Sequence, residues 1–92
     1  MRSYDDIEIG ETAEYIRTIT IKDIEQFAEV SGDHNPVHMD DEYAKKTIFK
    51  GRIAHGLLSA SFISTVLAKD LPGPGTIYLS QTLKFKRPVR PG

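Results

Sequence analysis

Residues 56–88 read GLLSASFISTVLAKDLPGPGTIYLSQTLKFKRP, and the two parts of that stretch follow different periods. In the first, apolar residues stand at 57, 58, 60, 62, 63, 66, 67 and 68, which covers more than one face of a helix. A helix that is apolar nearly all round must be enclosed by the rest of the chain. It stops at LPGPG, where two prolines and two glycines prevent continuation. The second part alternates, with Ile77, Leu79, Gln81, Leu83 and Phe85 on one side and Tyr78, Ser80, Thr82, Lys84 and Lys86 on the other. That pattern predicts a strand in a sheet with one buried and one solvated face, hence antiparallel. Together they predict an α+β fold in which a sheet wraps a long central helix.

Upstream, TAEYIRTIT at residues 12–20 is rich in β-branched and aromatic residues and predicts another strand. Thr20 then has the place of a helix N-cap, with Asp23 as a capping-box partner and Ile21, Ile24, Phe27 and Ala28 as one apolar stripe. Gly32 suits the end of that helix. Asp40 suits the start of a short one, DEYAKK, whose acids precede its lysines as the helix dipole favours.

A chain of 92 residues makes one domain with a thin core. The absence of cysteine excludes disulfides, thiolate nucleophiles and cysteine-ligated metals. No apolar run is suited to a signal peptide or a membrane span, so a cytoplasmic protein with no membrane partner is the expectation. Charge is uneven: residues 1–44 hold twelve acids and three bases, residues 45–92 nine bases and one acid. Two explanations fit, halves that fold against each other, or an anionic ligand drawn to Lys84, Lys86, Arg87 and Arg90. Nucleic acid is disfavoured, since the basic cluster is short and has only Phe85 interleaved.

Between the two predicted helices lies SGDHNPVHMD, residues 31–40, which has no core periodicity and a surplus of chemistry. Pro36 disfavours helical backbone at Asn35, so the chain cannot run helically from Asp33 to His38. His34 and His38 are thereby denied the one-turn spacing of a helical zinc pair, and no metal site is expected. A turn instead folds Asp33 and His38 toward each other. A carboxylate and an imidazole are the ingredients of acid/base work when each lies about 2.6–3.2 Å from the proton it handles. The plainer alternative is a turn stabilised by Asp33 and Asn35, with His38 a satisfied surface residue.

In IAHGLL, Gly56 begins the apolar helix, where free N–H groups converge and the missing Cβ lets a ligand approach. A carbonyl oxygen placed there is polarised as in an oxyanion hole. Close packing at Gly56 and a carbonyl hydrogen bond for His55 are the plainer alternatives. Ser64, about two turns into the helix, could reach the same site or bond its own backbone.

With these residues in place, the chain resembles the (R)-specific enoyl-CoA hydratases of the MaoC-like dehydratase family. The likeness is carried by SGDHNPVHMDDEYA, IAHGLL and LPGPGTIYLSQTLKFKRPV and runs over essentially all 92 residues. It implies a hot-dog fold, the helix after Gly56 wrapped by an antiparallel sheet, and syn hydration of a trans-2-enoyl-CoA to an (R)-3-hydroxyacyl-CoA. Asp33 and His38 would hold and activate the water, the N–H of Gly56 would bind the thioester oxygen, Asn35 would position the loop, and Ser64 would be an auxiliary site residue. No metal or redox cofactor is implied, and the partners are the acyl-CoA substrate and a second copy or complementing chain. Family members continue beyond RPVRPG, so the expectation is one C-terminally truncated domain over 1–92 lacking its last strands. A hot-dog acyl-CoA thioesterase and a non-catalytic acyl-binding or assembly module are the alternatives.

Overall fold

The structure is a computed structural model and describes residues 2–92. After a 3₁₀ turn at Tyr4–Asp6 come four helices among the described residues: α1 (Ile21–Ser31), α2 (Pro36–Met39), α3 (Asp41–Lys45) and α4 (Gly56–Lys69). Each of the first three begins at a side-chain cap. For α1 the cap is reciprocal. The Asp23 N–H donates to Thr20 Oγ1 at 3.1 Å and the Thr20 N–H donates to Asp23 Oδ2 at 3.0 Å, so two otherwise orphaned donors are satisfied. The helix ends where Gly32 adopts φ 79° and gives its N–H to the Ala28 carbonyl at 2.8 Å. Its apolar stripe buries Ile24 and Ala28 completely, while Ile21 remains 36% exposed.

The loop SGDHNPVHMD holds a helical turn that the sequence reading did not include. Asn35 Oδ1 accepts from the Val37 N–H at 3.2 Å, and Pro36 opens α2 at the position where its missing N–H is no loss. Helical backbone thus begins after Asn35, and Asp33 and His38 still share no helix. Asp40 Oδ1 accepts from the Tyr43 N–H at 3.1 Å and starts α3.

The predicted strands at 12–20 and 76–88 are absent, and no described residue is in a β-strand. A strand needs a ladder of partners, and here only single bonds form, such as Gly92 N–H to the Ile19 carbonyl at 2.9 Å and Ala54 N–H to the Val89 carbonyl at 2.7 Å. Ile77 and Leu79, expected on the buried face, are 76% and 90% exposed. The long helix forms from Gly56 as expected but is not enclosed: Leu58 and Ala60 are buried, whereas Leu57 is 60% exposed.

The chain divides into two compact units. One joins Arg17–Ser59 to Lys84–Gly92; the other joins the residues up to Ile16 to Ala60–Leu83. The first unit holds Ile19, Ile24, Ala28, Ala44, Ile53, Ala54 and Leu58 in its core, together with the buried imidazoles of His38 and His55. In the second, the Tyr15 and Phe62 rings meet at 5.9 Å and Arg2 pairs with Glu11. No described helix is long and apolar enough to cross a membrane.

Candidate active site

Four hydrogen bonds fasten the segment Arg52–His55 along the loop Asp33–His38. Ile53 N–H donates to the Val37 carbonyl at 3.3 Å, Arg52 Nε–H to the His38 carbonyl at 2.6 Å, His38 Nδ1–H to the Ile53 carbonyl at 2.9 Å, and His55 Nε2–H to the Asp33 carbonyl at 2.9 Å. Because a carbonyl can only accept, each of the last two bonds places a proton on the imidazole nitrogen that makes it. His38 therefore carries its proton on Nδ1 and offers the lone pair of Nε2. His55 carries its proton on Nε2.

The Asp33 carboxylate lies with one nitrogen each of His38 and His55 in a group whose ligand atoms are all within 4.8 Å of one another. Asp33 is exposed and His38 is 9% exposed, so a carboxylate reachable by water stands beside a sheltered imidazole. Asp33 Oδ1 accepts from the Asn35 N–H at 3.2 Å, which holds the turn. The three donors could attract a cation. The two imidazoles are stacked, with centroids 4.0 Å apart and planes 29° from parallel. The same carboxylate and imidazole can also handle protons.

A cavity of about 380 Å³ opens beside this group, lined by Asp33, His38, His55 and Gly56. Phe49, Ile53, Phe85 and Val89 give it apolar walls, and Lys86 and Arg87 also line it. At the start of α4, Leu58 and Ser59 donate their N–H groups to the His55 carbonyl at 3.1 and 3.3 Å. First-turn geometry leaves those of Gly56 and Leu57 without an acceptor inside the helix. A Cβ at Gly56 would come within 2.9 Å of the Phe85 ring, so glycine is required for this close approach.

The structure thus gathers Asp33, His38 and Gly56 around one cavity. Asn35 does not line it and serves as the cap of α2. Ser64 is exposed on α4, in the portion belonging to the other compact unit. His34 points elsewhere: Nε2 bonds Glu29 Oε1 at 3.2 Å and Nδ1 bonds the Gly32 carbonyl at 3.3 Å. The bond to Glu29, followed by that to Gly32, raises its pKa above the ordinary 6.5. Sequence reasoning gave His55 a hydrogen bond to a nearby carbonyl, as found at Asp33, but did not count His55, Arg52 or Phe85 as parts of the site. Only His55 left a signal, a histidine immediately before a glycine that opens a helix.

The MaoC-like domain family matches residues 6–92 of the chain. An (R)-specific enoyl-CoA hydratase of Rhodospirillum rubrum is 55% identical over 89 residues, which are 97% of this chain and 62% of the relative. A 3-hydroxybutyryl-CoA dehydratase of Methylorubrum extorquens is 48% identical over 97% of this chain and 57% of its own length. Among solved structures, the unliganded R-hydratase PhaJ1 of Pseudomonas aeruginosa matches with a TM-score of 0.91 and 57% identity, over 97% of this chain and 57% of the other. The chain spans about three fifths of the length of these relatives.

Proposed function

The chain belongs to the MaoC-like domain family, and from that premise we propose that it serves the hydration of trans-2-enoyl-CoA to (R)-3-hydroxyacyl-CoA. The observation that carries this is the gathering of Asp33, His38 and the start of α4 around one cavity. Asp33 and His38 hold a water and remove one of its protons as its oxygen bonds to the β-carbon. The π electrons of the alkene move into the conjugated thioester, whose oxygen gains charge. The Gly56 N–H donates to that oxygen and stabilises it. The pair then delivers a proton to the α-carbon, so that the net change is addition of H and OH across the double bond. Two proton-handling groups and one amide supply every role, and the reaction needs no metal or redox cofactor.

In the same proposal, Asn35 shapes the loop by capping α2, Ser64 is an auxiliary residue, and the fold of the working protein is a hot-dog whose sheet, not formed by the described residues, wraps α4. The setting is cytoplasmic. Exposed apolar residues such as Ile9, Ile16, Leu79 and Phe85 favour a second copy or a complementing chain as partner. Loss of the enoyl-CoA absorbance on incubation with the chain tests the reaction. Asp33→Asn and His38→Ala should each lower kcat at least about a hundredfold, and undiminished turnover in both would overturn it. Release of free thiol from a saturated acyl-CoA would point to a thioesterase instead.

A further inference from the structure

His55 is 2% exposed, and its side chain makes two contacts with the site and a third with α1. Its Nε2–H holds the Asp33 carbonyl at 2.9 Å. Its ring stacks on His38 with centroids 4.0 Å apart. The ring also meets Phe27 of α1 at 4.8 Å in a tilted packing. The residue directly precedes Gly56, and its carbonyl accepts the first N–H groups of α4. One side chain and one carbonyl thus join the backbone of the carboxylate, the face of the imidazole and the first turn of the helix that bears the amide.

We propose that His55 is a positioning residue that sets the spacing between Asp33 and His38, a role beyond those of the acid/base pair and of Gly56. The bond and the stack divide the work. The donor at Nε2 keeps the Asp33 turn from lifting away, and the ring fixes the plane of His38, whose other contact, Nδ1–H to the Ile53 carbonyl, leaves rotation about that bond open. Nδ1 of His55 is buried and has no hydrogen-bond partner among the described residues, so the side chain is anchored by its donor and its ring face alone. Misplacing a reacting group by about 1 Å costs on the order of a hundredfold in rate. The loss therefore falls on kcat rather than on substrate binding.

As a proposal about catalysis it rests on the hydration reading, and two variants and two readouts separate them. His55→Phe keeps a ring to stack and removes the donor; His55→Gln keeps a donor able to reach the Asp33 carbonyl and removes the ring. Each should fold, by far-UV circular dichroism, and lower kcat for a short enoyl-CoA about ten- to a hundredfold with KM within twofold of the parent. The pH profile of kcat should also change shape, which a merely structural residue would not cause. Folded variants that both keep kcat within twofold would overturn the proposal. If the parent does not hydrate enoyl-CoA, the hydration reading fails and nuclear magnetic resonance decides the positioning role. Asp33→Asn should displace the His38 ring ¹⁵N resonances in the parent and displace them less in the His55→Phe and His55→Gln backgrounds. An equal displacement in all three would overturn it.

Discussion

Two histidines four residues apart, His34 and His38, end in opposite surroundings, and the turn between them is the reason. Pro36 starts α2 only after the chain has bent at Asn35, so His38 turns inward to the Ile53 carbonyl while His34 stays out beside Glu29. The His34 side chain is 52% exposed and that of Glu29 82%, so their pair is weak and screened. Its sign is nonetheless clear. The folded state raises the His34 pKa, chiefly through the Glu29 bond, so the pair contributes below the ordinary imidazole value and is lost as pH rises through the higher folded value. Titration of the His34 ring protons should give a midpoint above 6.5, and Glu29→Gln should lower it. An unchanged midpoint would remove Glu29 as the cause. Asp33 and His38 were legible because Pro36 excluded a helical pair. For His55 the carbonyl hydrogen bond was legible and its place in the site was not, since such a histidine reads the same in sequence whether the carbonyl belongs to a purely structural turn or to the residue of a proposed acid/base carboxylate.

Caps are written in adjacent residues, and strands are not. Thr20 with Asp23, Gly32 and Asp40 could all be placed from sequence because each satisfies a helix-end donor or carbonyl within four positions, and the start of α4 from the glycine that opens its apolar run. The segments at 12–20 and 76–88 have strand composition but lack a ladder in this chain, and alternation alone cannot supply one. Thr20→Ala should remove one half of the capping box and lower stability by about 1 kcal/mol, read as a shift in the urea midpoint at constant slope. At the start of α4 the consequence is chemical. Gly56→Ala would place a methyl group 2.9 Å from the Phe85 ring. That ring is 61% exposed and can swing aside, so the fold should survive. The new methyl then stands beside the amide proposed to bind the thioester oxygen, and kcat/KM should fall at least about tenfold. A variant as active as the parent would show that this amide does not bind the oxygen.

Across the whole molecule the charge asymmetry has two explanations, and the ion pairs bear on which holds. Arg2–Glu11, Arg17–Asp23, His34–Glu29 and Lys45–Glu42 are all local, joining residues at most nine apart in sequence. Among the described residues none engages Lys84, Lys86, Arg87 or Arg90, and the one pair that joins the two halves, Lys45–Glu42, spans three residues of a single helix. Lys86 and Arg87 instead line the cavity that holds Asp33 and His38. The basic half is therefore better explained by an anionic partner, and in the proposed reaction the phosphates of coenzyme A would supply the charge. Exposed charge pairs are worth about 0.5 kcal/mol each, so Lys86→Gln with Arg87→Gln should raise KM for an enoyl-CoA roughly fivefold and leave kcat unchanged. Raising the salt from about 0.05 to 0.5 M should do the same to the parent, as the screening length falls below the reach of these side chains. An N-acetylcysteamine thioester carries no phosphate and should respond to neither change. If its KM rises in step with that of the CoA substrate, Lys86 and Arg87 act on the shape of the cavity and not through their charge.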